Sequence, residues 1–127
     1  MLFDSTVGTL TDKVVISNNV CNGRMRFTGV VGGANISGNN TVGVTTFVTD
    51  VTNSTVNSNT FGSPGGVGTK LSFGGILDES TCNDNTVQGN VQFVGAVTIS
   101  SIRGNNVSDM VFDSTVETLS NKVVIAN

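Results

Sequence analysis

The first and last segments of the chain are copies of one another. Leu2–Asn18 reads LFDSTVGTLTDKVVISN and Val111–Asn127 reads VFDSTVETLSNKVVIAN, with 12 of 17 positions identical at an offset of 109. A compact enzyme domain has no physical reason to begin and end on one segment. One period of a longer array does, and so does a unit that stacks end to end. A fixed-period repeat of this kind is the signature of a solenoid or tandem array.

A finer repeat lies inside the long one. Six phenylalanines, Phe3, Phe27, Phe47, Phe73, Phe93 and Phe112, divide the 109 residues into units of 19 to 26. Two positions after each comes a small residue: Ser5, Gly29, Thr49, Gly75, Gly95, Ser114. Four positions after each comes Val7, Val31, Val51, Leu77, Val97 or Val116. A period of two puts these three side chains on one strand face. The alternation extends upstream through Val87, Gly89, Val91 and Phe93, through Val67, Thr69, Leu71 and Phe73, and through Cys21, Gly23, Met25 and Phe27. In the third unit Thr45 stands where a larger apolar residue is expected. Nine positions after four of the phenylalanines sit Ile36, Val56, Cys82 and Ile102, and Ile16 takes that role in the first unit after a four-residue expansion. Asn-rich turns follow, at Asn18-Asn19, Asn39-Asn40, Asn57-Ser58-Asn59, Asn83-Asp84-Asn85 and Asn105-Asn106.

A unit of about 20–25 residues is too short to fold alone but suits one rung of a parallel β-helix, which buries its inward residues against the rungs above and below. The expected fold is therefore all-β: a single β-solenoid domain over 1–127, of about six rungs, right-handed by the crossover preference of parallel strands. Asn suits the turns because it tolerates left-handed backbone, and its amides can ladder from rung to rung. The small column is expected to let the backbone bend at a corner. An antiparallel sandwich or small propeller is the competing fold.

Composition agrees and narrows the function. Only 12% of residues are charged, with 16 Gly, one Pro and no His, Trp or Tyr. Val, Thr and Phe favour strands, whereas Gly is costly in helices. A net charge of -3 with six Lys+Arg gives no footprint for nucleic acid. No apolar run approaches the ~20 residues of a membrane span. The start, MLFDSTVG, lacks the regions of a signal peptide, so a leader would lie outside this chain.

Without His there is no histidine triad or histidine metal ligand. Asp4 and Asp113 share a column but lie about 24 Å apart, Asp50 faces outward, and Asp78 and Glu79 point to opposite faces, so no pair suits glycosidase chemistry. Cys21 and Cys82 sit in different columns about three rungs apart, roughly 14 Å, beyond disulfide reach. Cys82 reads as a small buried hydrophobe. Arg24 and Arg26 flank Met25 and read as solvent-facing. GSPGGVG lacks the lysine and spacing of a P-loop. No residue is therefore singled out as catalytic, and none as a cofactor or metal ligand.

Two assembly features remain. The terminal segments look like interior rungs without caps, and a heterologous contact between uncapped, matching ends builds an open filament. The expected interface is Phe3, Asp4, Val7 and Val15 at one end, and Phe112, Asp113, Val116 and Val124 at the other. The segment Phe61–Gly68, FGSPGGVG, holds the only Pro and makes the longest rung. Within it Phe61, Gly62, Ser63, Pro64, Gly65 and Gly66 form a candidate contact loop.

The Asn-Asn turns and the rung GNVQFVGAVTISSI (Gly89–Ile102) resemble the passenger regions of repeat-rich bacterial surface proteins, namely the autotransporter and filamentous-haemagglutinin-like adhesins. The resemblance implies a right-handed β-helix, exposure at the cell surface and an adhesive or stalk role, and it carries over no functional residues. The expected function is a non-enzymatic structural segment of an extracellular filament, stalk or adhesin. Its first partner is itself, and a host or matrix surface receptor is a second. The alternatives are a tailspike-like β-helix that binds or cleaves carbohydrate, and an ice-binding solenoid. The first is disfavoured by the lack of Trp and Tyr for sugar stacking, the second by outward Thr residues that do not align in one column.

Overall fold

A computed structural model describes residues 14–113 in full and the backbone at 2–3, 119–120 and 124–126. Every strand pairing in it is parallel. The chain winds through about five turns of a β-solenoid. The described residues form three sheets along its length, with nine, five and six strands counted among them, and contain no helix.

Sheet A has nine strands. In the lower rungs it consists of two ladders separated by a bend, as between Val20–Cys21 and Met25–Phe27 or between Asn40–Thr41 and Thr45–Phe47. Higher up, the single strand Thr86–Phe93 joins both ladders, and Asn106–Phe112 pairs onto it. Sheet B has five strands: Val31–Gly32, Val51–Thr52, Leu77–Asp78, Val97–Thr98 and Leu119–Ser120. Sheet C has six: Val15–Ser17, Asn35–Ser37, Thr55–Asn57, Thr81–Asn83, Ser101–Arg103 and Val124–Ala126.

The register sets like residues on like. Phe27, Phe47, Phe73 and Phe93 are at most 1% exposed, and they stack with Phe112 in near-parallel pairs, centroids 4.6 to 5.1 Å apart. Phe3 pairs with Phe27 in backbone register. Full burial of each ring contributes about 2–3 kcal/mol, and stacking adds to it. Val31, Val51, Leu77 and Val97 form the column of sheet B, and Ile16, Ile36, Val56, Cys82 and Ile102 that of sheet C. The four-residue expansion that places Ile16 is therefore real.

The register differs from the sequence reading at the last unit. Leu119, not Val116, pairs with Val97. The expansion that separates Phe112 from Ile125 falls mostly before sheet B, so a fixed count of four from the phenylalanine lands short. The upstream alternation holds for Thr86–Phe93, whose burial strictly alternates, but not for Val67, which is 85% exposed. Gly68 turns the chain at φ +73, and a bulge between Thr69 and Leu71 shifts the pairing, so alternation counted back from Phe73 fails there.

Two columns of left-handed residues make the corners on either side of sheet C. Gly33, Asn53, Glu79 and Ile99 enter it, with φ between 44° and 64°. Asn18, Gly38, Ser58, Asp84 and Gly104 leave it, with φ between 54° and 65°. Gly, Asn and Asp accept this conformation most readily. The small column bends the chain between sheets A and B, at residues 29, 49, 75 and 95. There the rungs touch closely: a side chain at Gly95 would run into the carbonyl of Gly75.

Candidate assembly surfaces and the inserted loop

The polar interior is built by the repeat itself. Asn19, Asn39, Asn59, Asn85 and Asn105 form one column at the corner between sheets C and A. Asn39, Asn59 and Asn85 are each 1% exposed. In each step the lower Asn donates its side-chain amide to the Oδ1 of the next, at 2.9 to 3.0 Å. The lower main-chain N–H donates to the same oxygen. The amide also closes onto main-chain carbonyls: Asn39 onto Ile16, Asn59 onto Ile36, Asn85 onto Val56 and Asn105 onto Cys82. The rung-to-rung amide ladder expected from the Asn turns is present. The left-handed residue, however, is the one before each ladder Asn, not the ladder Asn itself.

A second polar column escaped the sequence reading. Ser54, Ser80 and Ser100 are each 2% exposed and accept from the main-chain N–H of Ala34, Ser54 and Ser80 respectively. Each serine donates back to the carbonyl two residues earlier, that of Thr52, Asp78 or Thr98. The signal was available, because each serine lies three positions after the sheet B column residue. In a chain rich in Ser and Thr, that spacing does not stand out.

The expected interface residues fall in several places. Phe3 and Phe112 lie at opposite ends of one register column, five Phe steps apart. Asp113 follows the last strand of sheet A, and its N–H donates to the Phe93 carbonyl at 2.9 Å. Val15 is 63% exposed on the outer face of sheet C, and Val124 occupies the same register column through Ser101, Thr81, Thr55 and Asn35. Val15 therefore belongs to the outer wall rather than to a core column. Asp4, Val7 and Val116 lie outside the described residues.

The candidate loop needs a correction at its start. Phe61 is fully buried and Gly62 is buried as well. Phe61 fills the sheet A column between Thr41 and Val87, and the Gly62 N–H donates to the Thr41 carbonyl at 2.7 Å. Neither is available for contact. The inserted loop proper is Ser63–Gly68. Twelve positions separate Phe61 from Phe73, against six between Thr41 and Phe47, and the register on both sides is kept. The extra residues are extruded as a turn. Pro64 and Gly65 are its exposed centre, Gly65 has φ +75, and the Gly66 N–H closes onto the Ser63 carbonyl at 2.8 Å. This is the pattern of a type II turn.

The remaining candidates stay apart. Asp50 accepts from the Ile76 N–H at 2.8 Å, Asp78 from the Thr98 hydroxyl, and Glu79 is exposed at a corner. No group of three or more His, Cys, Asp or Glu residues that could hold a metal occurs among the described residues. Arg24 and Arg26 are exposed on either side of buried Met25, beside an open groove of about 640 Å³. On the outer face of sheet C, Thr55 and Thr81 do share a column, but Asn35 and Ser101 flank them. Cys21 and Cys82 are both buried thiols that form no disulfide with each other. Burial pushes the Cys82 thiol up to about 12, with the Asn85 amide pulling the other way. No helix is long and apolar enough to cross a membrane among the described residues.

The chain matches no protein-family model, no curated protein and no solved structure.

Proposed function

We propose that this chain is a non-enzymatic structural solenoid, a segment or subunit of an extracellular filament, stalk or adhesin that joins further copies head to tail through its matching ends. One observation carries the reading. The 109-residue repeat is in phase with the solenoid. Phe3 and Phe112 belong to one register column, and so do Ile16 and Ile125. The period is therefore a whole number of turns. A further period joined covalently would continue every column without a change of rotation, and a docked copy would continue the Phe and Ile columns. Texture shared with bacterial surface adhesins supports exposure outside the cell, with a host or matrix receptor as second partner. The Ser63–Gly68 turn is the contact site offered to it.

Electron microscopy of the purified chain across a concentration series tests the reading. Unbranched filaments with an axial repeat of about 29 Å are the expected result, because each docked copy supplies six strands to sheet C at about 4.8 Å each. Short rods of one length at every concentration would overturn self-stacking.

A further inference from the structure

The sequence holds a single Asn-Gly pair, Asn22-Gly23. It lies in the bend between Val20–Cys21 and Met25–Phe27, where the two ladders of sheet A part on that rung. Asn22, Gly23 and Arg24 are all exposed. The peptide unit that joins Asn22 to Gly23 stands outside the rung-to-rung ladder. The carbonyls on either side of it are taken, that of Cys21 by the Val42 N–H at 3.0 Å and that of Gly23 by the Gly43 N–H at 2.8 Å. The Asn22 carbonyl between them accepts nothing from the described residues. The Gly23 N–H faces the sulfur of Cys21, a weak acceptor. No described residue holds the Asn22 side-chain amide. A Cβ placed on Gly23 would meet nothing within 4 Å, so the bend has room around it.

The other asparagines outside the core are held differently. The N–H after Asn18 donates to Asn39 Oδ1, and the N–H after Asn53 donates to Ser80 Oγ. Those after Asn57 and Asn83 donate to the carbonyls of Asn83 and Arg103. Asn35, Asn40, Asn90 and Asn106 lie within strands. At Asn22 alone, an unheld side-chain amide precedes a glycine nitrogen that no described carbonyl restrains.

We propose that Asn22-Gly23 is a self-modification site, at which the chain converts Asn22 to isoaspartate with water as the only co-reactant. The Gly23 nitrogen attacks Cγ of Asn22, and the new N–C bond closes a succinimide ring. The side-chain nitrogen leaves as ammonia, carrying the proton that Gly23 gives up. Water then opens the ring. Opening at the former main-chain carbonyl routes the backbone through the side chain and leaves a carboxylate on Cα, which is isoaspartate. Opening at the other carbonyl gives aspartate. Nothing is oxidised or reduced. Either product puts a carboxylate where a neutral amide stood, beside Arg24 and at the groove lined by Gly23, Arg24 and Arg26. Isoaspartate also lengthens the main chain by one carbon, at a corner where Gly43 sits tightly over the Gly23 carbonyl. The site is an age mark on the cationic wall of the solenoid, and it does not depend on whether copies stack.

Ageing the purified chain in mildly alkaline buffer tests the site. Trypsin cuts after Lys13 and Arg24, so Asn18, Asn19 and Asn22 share one peptide. Fragmentation of that peptide, with an isoaspartate methyltransferase as the label, should place the change at Asn22 and leave Asn18 and Asn19 intact. Ammonia release and a more acidic band in isoelectric focusing should grow at the same rate. Asn22→Gln should abolish all three signals. Gly23→Ala should slow them on the order of tenfold, because the added Cβ restricts the backbone and crowds the attacking nitrogen. The fold should tolerate that change, since Gly23 has open space and no positive φ. The same chain in urea supplies the unfolded rate, and the folded rate should lie within about tenfold of it, because only the bend must rearrange. A site that reacts only in urea would overturn the proposal. So would isoaspartate at Asn18 or Asn19 in place of Asn22, or a rate that Gly23→Ala leaves unchanged.

Discussion

Two sets of polar side chains are buried in this solenoid, and they fare differently. The Asn column finds donors and acceptors at every step, because each rung presents the same amide at the same corner. Thr41, Thr45 and Thr49 lie on a single rung, and their buried hydroxyls have no hydrogen-bond partner among the described residues. Thr41 stacks between Cys21 and Phe61, and Thr45 between Met25 and Leu71. None of these neighbours offers a good side-chain acceptor. Polar burial in a solenoid is cheap where the repeat supplies the partner and costly where one rung departs alone.

The largest break in this comparison comes from the ladder. Asn59→Ala orphans the Asn39 main-chain and side-chain N–H groups and the Ile36 carbonyl together. At ~1–3 kcal/mol for each unsatisfied group, a loss of about 5 kcal/mol is expected in denaturant unfolding. Next comes the buried thiol. Unfolded, Cys82 ionises near pH 9.0, and folded it holds its proton to about 12. Its contribution is complete below pH 9 and is lost as pH rises toward 12. The loss is on the order of 4 kcal/mol, and it should vanish in Cys82→Val. A titration of unfolding midpoints for both chains checks this. Smaller and opposite in sign, Thr41→Val and Thr45→Val each remove an unpaired hydroxyl at nearly constant shape. Each should stabilise by about 1 kcal/mol. Smallest of all is a corner. Ile99 holds φ 44, where a β-branched side chain is strained and its column mate is Asn53. Ile99→Asn should raise stability by up to about 1 kcal/mol, read as a shift in thermal midpoint.

The contrast also explains what the sequence could disclose. The Phe, Ile and Asn columns were legible because one residue type recurs at a nearly constant spacing, and a constant spacing is what rung-on-rung register means. Phe61 was misread because its column also holds Cys21, Thr41, Val87 and Val107, fillers with no common letter. It also borders a Gly-rich stretch that reads as loop. Leu119 was displaced by Val116 because the expansion of the terminal unit carries no local mark. The direction of the Asn ladder was hidden for another reason. Every Asn in the column looks alike in sequence, and only the hydrogen-bond direction separates the first from the last.

The sheets' main-chain hydrogen bonds run along the solenoid axis, from rung to rung. A pull applied along that axis loads them in sequence instead of shearing many at once. Each regular rung that detaches frees 20 residues, about 70 Å of extended chain, in exchange for about 5 Å of rod. As a tether, such a rod would therefore yield by letting out chain in equal steps, at modest force, and would rewind when slack.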